Sequence, residues 1–72
     1  MTISYDPDAD ALYITLVEGI HECRNVCLND ETTLDFGADE TLVGIEILDA
    51  KRVVGHGALP KLVVDHLAVA AA

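Results

Sequence analysis

The chain has 72 residues, thirteen Asp and Glu against four Lys and Arg, a formal net charge of -9 and 51% hydrophobic residues. That length holds one small domain. The scarcity of cations (Arg24, Lys51, Arg52 and Lys61) argues against nucleic acid and membrane surfaces as partners, because both require clustered positive charge.

No segment reaches the roughly 18 apolar residues of a membrane span, and Met1 to Asp6 lacks the basic and apolar stretches of a signal peptide. Two cysteines, Cys23 and Cys27, are too few for a disulfide scaffold. The expected setting is the cytoplasm, with both thiols reduced. Mean hydropathy is +0.35, high for a chain that folding alone buries only to about 60%. Burial of apolar surface against another chain reconciles the two.

In chain order, Ile3 to Tyr5 is β-prone, and Asp6-Pro7-Asp8-Ala9 then makes a turn in which Pro presets φ and Asp bonds the backbone. Ala11 to Leu16 alternates, with Leu12, Ile14 and Leu16 on one side and Ala11, Tyr13 and Thr15 on the other. A poorly patterned strand falls between His21 and Leu28, and Asn29-Asp30-Glu31 is a turn. Thr32 to Phe36 is the next strand. Gly37 to Glu40 is a turn in which Gly37 can supply φ > 0.

Thr41 to Leu48 runs back, with Val43, Ile45 and Ile47 sharing one face and Leu42, Gly44, Glu46 and Leu48 the other. Gly44 within a strand marks a bulge or a close approach to the backbone. Asp49 and Ala50 can start a helical turn through Val54, which Gly55-His56-Gly57 ends and where it forms a hinge. From Pro60, a residue suited to a helix's first turn, the spacing of Leu59, Leu62, Val63, Leu67 and Ala70 predicts a C-terminal helix, with a strand over 61–64 as the competing reading. The expected fold is α+β: an antiparallel β-meander of three to four strands followed by a C-terminal helix.

Tyr5-Asp6-Pro7-Asp8-Ala9-Asp10-Ala11-Leu12-Tyr13-Ile14, then Leu34-Asp35-Phe36, then Val43-Gly44-Ile45-Glu46-Ile47-Leu48, together resemble the signature of the YuzE-like family of small bacterial and archaeal proteins (domain of unknown function 2283). The resemblance runs from about Ile3 to Ala50. It implies a compact, strand-rich domain with a C-terminal helix. It brings no reaction, substrate or cofactor, so no catalytic residue is carried over.

Three groups of residues invite a functional reading. Asp6, Asp8 and Asp10 have the D-x-D-x-D spacing that opens a calcium loop, but Ala11 and Val17 stand where that loop needs Gly and Glu. A polar turn held by Asx bonds is the plainer reading. His21, Cys23 and Cys27 are weak zinc candidates, with His56 or His66 as a fourth ligand. On a strand, however, the two thiols stand about 13 Å apart, too far to share an ion. The third group is apolar: Leu42, Leu48, Leu59, Leu62, Val63 and Leu67 form a candidate interface.

The leading expectation is a non-enzymatic, cofactor-free, homo-oligomeric interaction module, most simply a dimer. The first alternative is an acidic, antitoxin-like regulator that binds a basic protein through Asp6, Asp8, Asp10, Asp35, Asp39 and Glu40, provided the turns meet at one end of the sheet. The second is a metal-binding protein.

Overall fold

A computed structural model describes residues 1–19, 22–59 and 61. The strands are β1 (Thr2–Asp6), β2 (Ala11–Thr15), β3 (Arg24–Cys27), β4 (Thr32–Phe36) and β5 (Leu42–Ile47), followed by one short helix, α1 (Ala50–Val53). All pairings are antiparallel, in the order β1-β2-β5-β4-β3. The described chain is therefore mostly β, with five strands where three to four were expected. The helix predicted from Pro60 onward, with Leu62, Val63 and Leu67, lies outside the described residues, as does His21.

The order corrects the simple meander. β3, β4 and β5 do meander, but β5 returns to the middle of the sheet and pairs β2 on its other side. β5 belongs there because Val43, Ile45 and Ile47 give it the largest apolar stripe, and a central strand covers that stripe from both flanks. β3, the strand with the least regular pattern, is left at an edge, with β4 its one partner among the described residues.

Directly paired residues share a face, so the register divides the sheet cleanly. Ile3, Ile14, Ile45, Leu34 and Val26 form one cross-strand row, and Tyr5, Leu12, Ile47 and Thr32 the next. The opposite face carries Thr15, Gly44, Asp35 and Asn25 in one row and Ser4, Tyr13, Glu46, Thr33 and Cys27 in another. A register shift at Asp35/Phe36 places Leu42 opposite Phe36 and leaves Val43 as the extra residue of a bulge. Leu42 thus departs from the Gly44 and Glu46 side that strict alternation assigned to it.

Two glycines of the sheet and its connecting turn hold close approaches. A Cβ on Gly44 would stand 2.5 Å from the Tyr13 hydroxyl and 3.2 Å from the Ile14 carbonyl. Of the two readings the sequence offered for Gly44, the close approach is the one found at that residue, and the bulge falls next to it at Val43. A Cβ on Gly37 would meet Val43 Cγ2 at 2.8 Å. Its φ is -91°, so the residue is needed for space, and the left-handed turn falls instead on Asp39 and Glu40, each at φ 58°.

The helical turn forms where it was expected, with Asp49 as N-cap. Its end is a hydrogen-bonded turn rather than an open hinge. The amides of Gly55 and Gly57 both donate to the Lys51 carbonyl, and that of Ala58 to Gly55.

Candidate functional site

The two faces of the sheet differ in how far their side chains are satisfied. On the apolar face, Leu12, Ile14, Leu34, Ile45 and Ile47 are only half-buried and Ile3 is exposed. Among the described residues the buried hydrophobics are Val43 and Ala50 alone, and no large side chain is fully buried. Ile3, Tyr5, Leu12 and Leu59 line a shallow cavity of about 220 Å³ at the β1 margin of this face. At the opposite margin the Arg24 guanidinium lies 5.2 Å from the centre of the Phe36 ring and pairs with Glu40, so a charge borders the apolar rows there.

The other face is closed by a polar network. Tyr13 reaches diagonally across Gly44 and donates its hydroxyl to Asp35 Oδ2 at 2.7 Å, while Asn25 Nδ2 donates to Asp35 Oδ1. Asp35 is 8% exposed, and with a donor on each oxygen it meets the requirement that a buried carboxylate be bonded. The same hydrogen bond, reinforced by burial and by the negative charges of Asp35, Cys23 and Glu46, pushes the Tyr13 phenol up to about 12. Glycine at position 44 is what lets the tyrosine lie flat enough to reach. Tyr13 and Asn25 went unsingled in the sequence, although a Gly flanked on neighbouring strands by Tyr and Asp at matching parity is the signal that marks such a row.

The Asp6-Pro7-Asp8-Ala9-Asp10 turn is shaped by its own carboxylates. Asp6 Oδ1 accepts from the amides of Asp8 at 3.0 Å and Ala9 at 3.3 Å. Asp10, at φ 50°, accepts from the Tyr5 hydroxyl at 2.7 Å and from the Lys51 amide at 3.1 Å, while its carbonyl takes the Ala50 amide at 3.0 Å. These are the Asx bonds of the polar-turn reading, and Asp10 in addition ties α1 to the first hairpin. Among the described residues no group of three His, Cys, Asp or Glu is placed to hold a metal ion.

The acidic residues do not converge. The register places the 7–10 turn at the end of the sheet where β5 finishes, and the turn with Asp39 and Glu40 at the end where β5 begins. Asp35 lies between them, buried and bonded. The single anionic patch that the sequence suggested is thus two separate ends. At the first, Arg52 pairs with both Glu31 and Asp49. At the second, Arg24 pairs with Glu40.

The candidate interface is likewise divided. Leu42 is half-buried opposite Phe36, whereas Leu48, 43% exposed, follows the far end of the same strand, about 20 Å away at strand rise. Leu59 is 60% exposed beside β1. Cys23 and Cys27 are both exposed thiols; Cys27 ends β3, whereas Cys23 lies just outside it, so the strand reading of this stretch holds for Cys27 alone.

One antiparallel sheet, apolar on one face and polar-bonded on the other, with an aspartate-shaped first hairpin, defines a small single-sheet domain. A family model described as "Protein of unknown function (DUF2283)" matches residues 2–51. The chain belongs to that family, and the matched segment runs from the start of β1 into α1. No curated protein and no solved structure matches the chain.

Proposed function

We propose that this domain is a non-enzymatic, homo-oligomeric interaction module of the cytoplasm, and that its working surface is the apolar face of the sheet, applied to the same face of a second copy. The observation that carries this reading is the incomplete burial of Leu12, Ile14, Leu34, Ile45 and Ile47, all on one face. A five-stranded sheet gains independent stability only when an apolar face is covered. A second identical face is the simplest cover of matching size and chemistry, since a two-fold contact applies one patch to itself. Leu59 extends that face at the β1 margin. The acidic-regulator alternative is less well supported, because its carboxylates are divided between two ends of the molecule.

The test is the solution mass of the full chain in reducing buffer at about 10 μM, by native mass spectrometry and light scattering, for the wild type and for Ile14→Lys and Ile3→Lys. A wild-type dimer whose dissociation constant rises at least tenfold in either variant is the expected result. Ile3 lies at the exposed margin, so Ile3→Lys remains informative if Ile14→Lys fails to fold. A monomeric wild type, or a folded Ile3→Lys dimer of undiminished affinity, overturns the assignment.

A further inference from the structure

Among the described residues, β3 is paired along one side alone, by β4. Cys27 ends this exposed four-residue strand and Cys23 immediately precedes it, each two residues from Asn25. Within one chain they cannot combine. Four residues of extended backbone separate their Cα atoms by about 13 Å, and a disulfide requires less than about 7 Å. Between two chains the same spacing becomes complementary. If two β3 strands pair antiparallel about a two-fold axis at Asn25, Cys23 of each stands directly opposite Cys27 of the other. Directly opposed residues in such a ladder are about 4.5 or 5.5 Å apart at Cα, within the ordinary disulfide range of about 4.4–6.8 Å.

We propose that β3 is a self-pairing edge, and that oxidation locks two copies together through two symmetric Cys23–Cys27 disulfides. Three observations favour a second copy as the occupant. An edge strand presents unpaired N–H and C=O groups that another strand can take up, and among the described residues β4 alone pairs with β3. In the register centred on Asn25, Arg24 lies opposite Val26, Glu22 opposite Leu28 and Asn25 opposite itself, so no like charges meet across the contact despite a net charge of -9 per chain. Finally, Cys27 shares a face with Thr33, and the even spacing of the two cysteines puts Cys23 on that same face, so both bonds form on one side of the joined sheet. No other two-fold register of this strand opposes Cys23 to Cys27.

The chemistry is thiol–disulfide exchange with a small disulfide such as oxidised glutathione. The Cys23 thiolate attacks one sulfur of glutathione disulfide, forming a mixed disulfide and releasing one glutathione thiolate. The Cys27 thiolate of the second copy then attacks the Cys23 sulfur and expels the other glutathione. Each bond reduces one glutathione disulfide to two thiols and leaves the protein two thiol hydrogens lighter, and the sequence of events occurs twice per dimer.

The inference is independent of the apolar-face reading, and the two are separated by solvent. The covalent link is read under denaturing, non-reducing conditions, where apolar contacts do not survive, and the apolar contact in reductant, where the link does not form. The experiment incubates the full chain in an oxidising glutathione buffer and measures intact mass and linked peptides for the wild type, Cys23→Ser, Cys27→Ser and an equal mixture of the two variants.

The wild type is expected to give a reductant-sensitive dimer with Cys23–Cys27 linked peptides. Each variant alone lacks an opposed pair, whereas their mixture restores one and links at least tenfold more than either variant by itself. An internal disulfide in a single chain, linkage of one variant as extensive as in the mixture, or no covalent wild-type dimer overturns it.

Discussion

At the scale of single residues, Asp35 is held in the sheet by donors from two other strands, Tyr13 of β2 and Asn25 of β3. Tyr13→Phe removes one donor and leaves Asp35 Oδ2 unmatched, at a cost of about 1–3 kcal/mol at neutral pH, measurable by urea denaturation. The pH dependence follows from the phenol, whose value in the fold is pushed up to about 12, from 10. A group raised in this way favours folding below its unfolded value, and the contribution is lost as pH rises from about 10 through 12. The wild type should therefore lose stability over that interval more steeply than Tyr13→Phe. The part due to Tyr5, raised to about 12 chiefly by its bond to Asp10, persists in both. Parallel pH profiles for the two proteins would show that the Tyr13 hydroxyl is not the coupled group.

Among the elements, the first hairpin and α1 behave as one unit because Asp10 serves both. Its carboxylate takes the Tyr5 hydroxyl and the Lys51 amide, and its carbonyl takes the Ala50 amide. The expected effect of Asp10→Ala is a loss of about 1–2 kcal/mol, typical of a missing helix cap, with faster hydrogen exchange at the amides of 51–55. Asp10→Asn keeps an acceptor and tolerates the left-handed backbone, so it should stay close to wild type. Unchanged exchange in Asp10→Ala would remove the link between hairpin and helix.

The strands with clean alternation, β2, β4 and most of β5, were legible in the sequence, as were the Asp-Pro turn and the helical turn after Asp49. Leu42 was misplaced because alternation carries no information about a bulge, which depends on how two strands register. Gly37 was read for its backbone freedom when what matters is the side chain of Val43 beside it, a neighbour that only folding supplies.

At the scale of the whole molecule, charge and apolar surface oppose each other in assembly. Thirteen carboxylates and four cations make two copies repel, and the acidic ends of the sheet lie around the apolar face rather than within it. Salt screens such exposed charges, with a Debye length falling from about 30 Å at 0.01 M to about 3 Å at 1 M. The dimer of the apolar face is therefore expected to tighten severalfold between 0.01 M and 0.5 M salt, as measured by sedimentation. Weakening over that range would point to a contact held by ion pairs.

Composition and alternation alone determined that the chain is acidic, strand-rich and high in apolar residues, because those properties depend only on residue content and local residue order. They also carried the family signature. The tertiary structure decided the position of β5 at the centre and β3 at an edge, the separation of the acidic turns to opposite ends, and the meeting of Tyr13, Asp35 and Asn25 over Gly44. Each of those depends on which strand lies beside which, a choice made by cross-strand contacts between residues far apart in the chain.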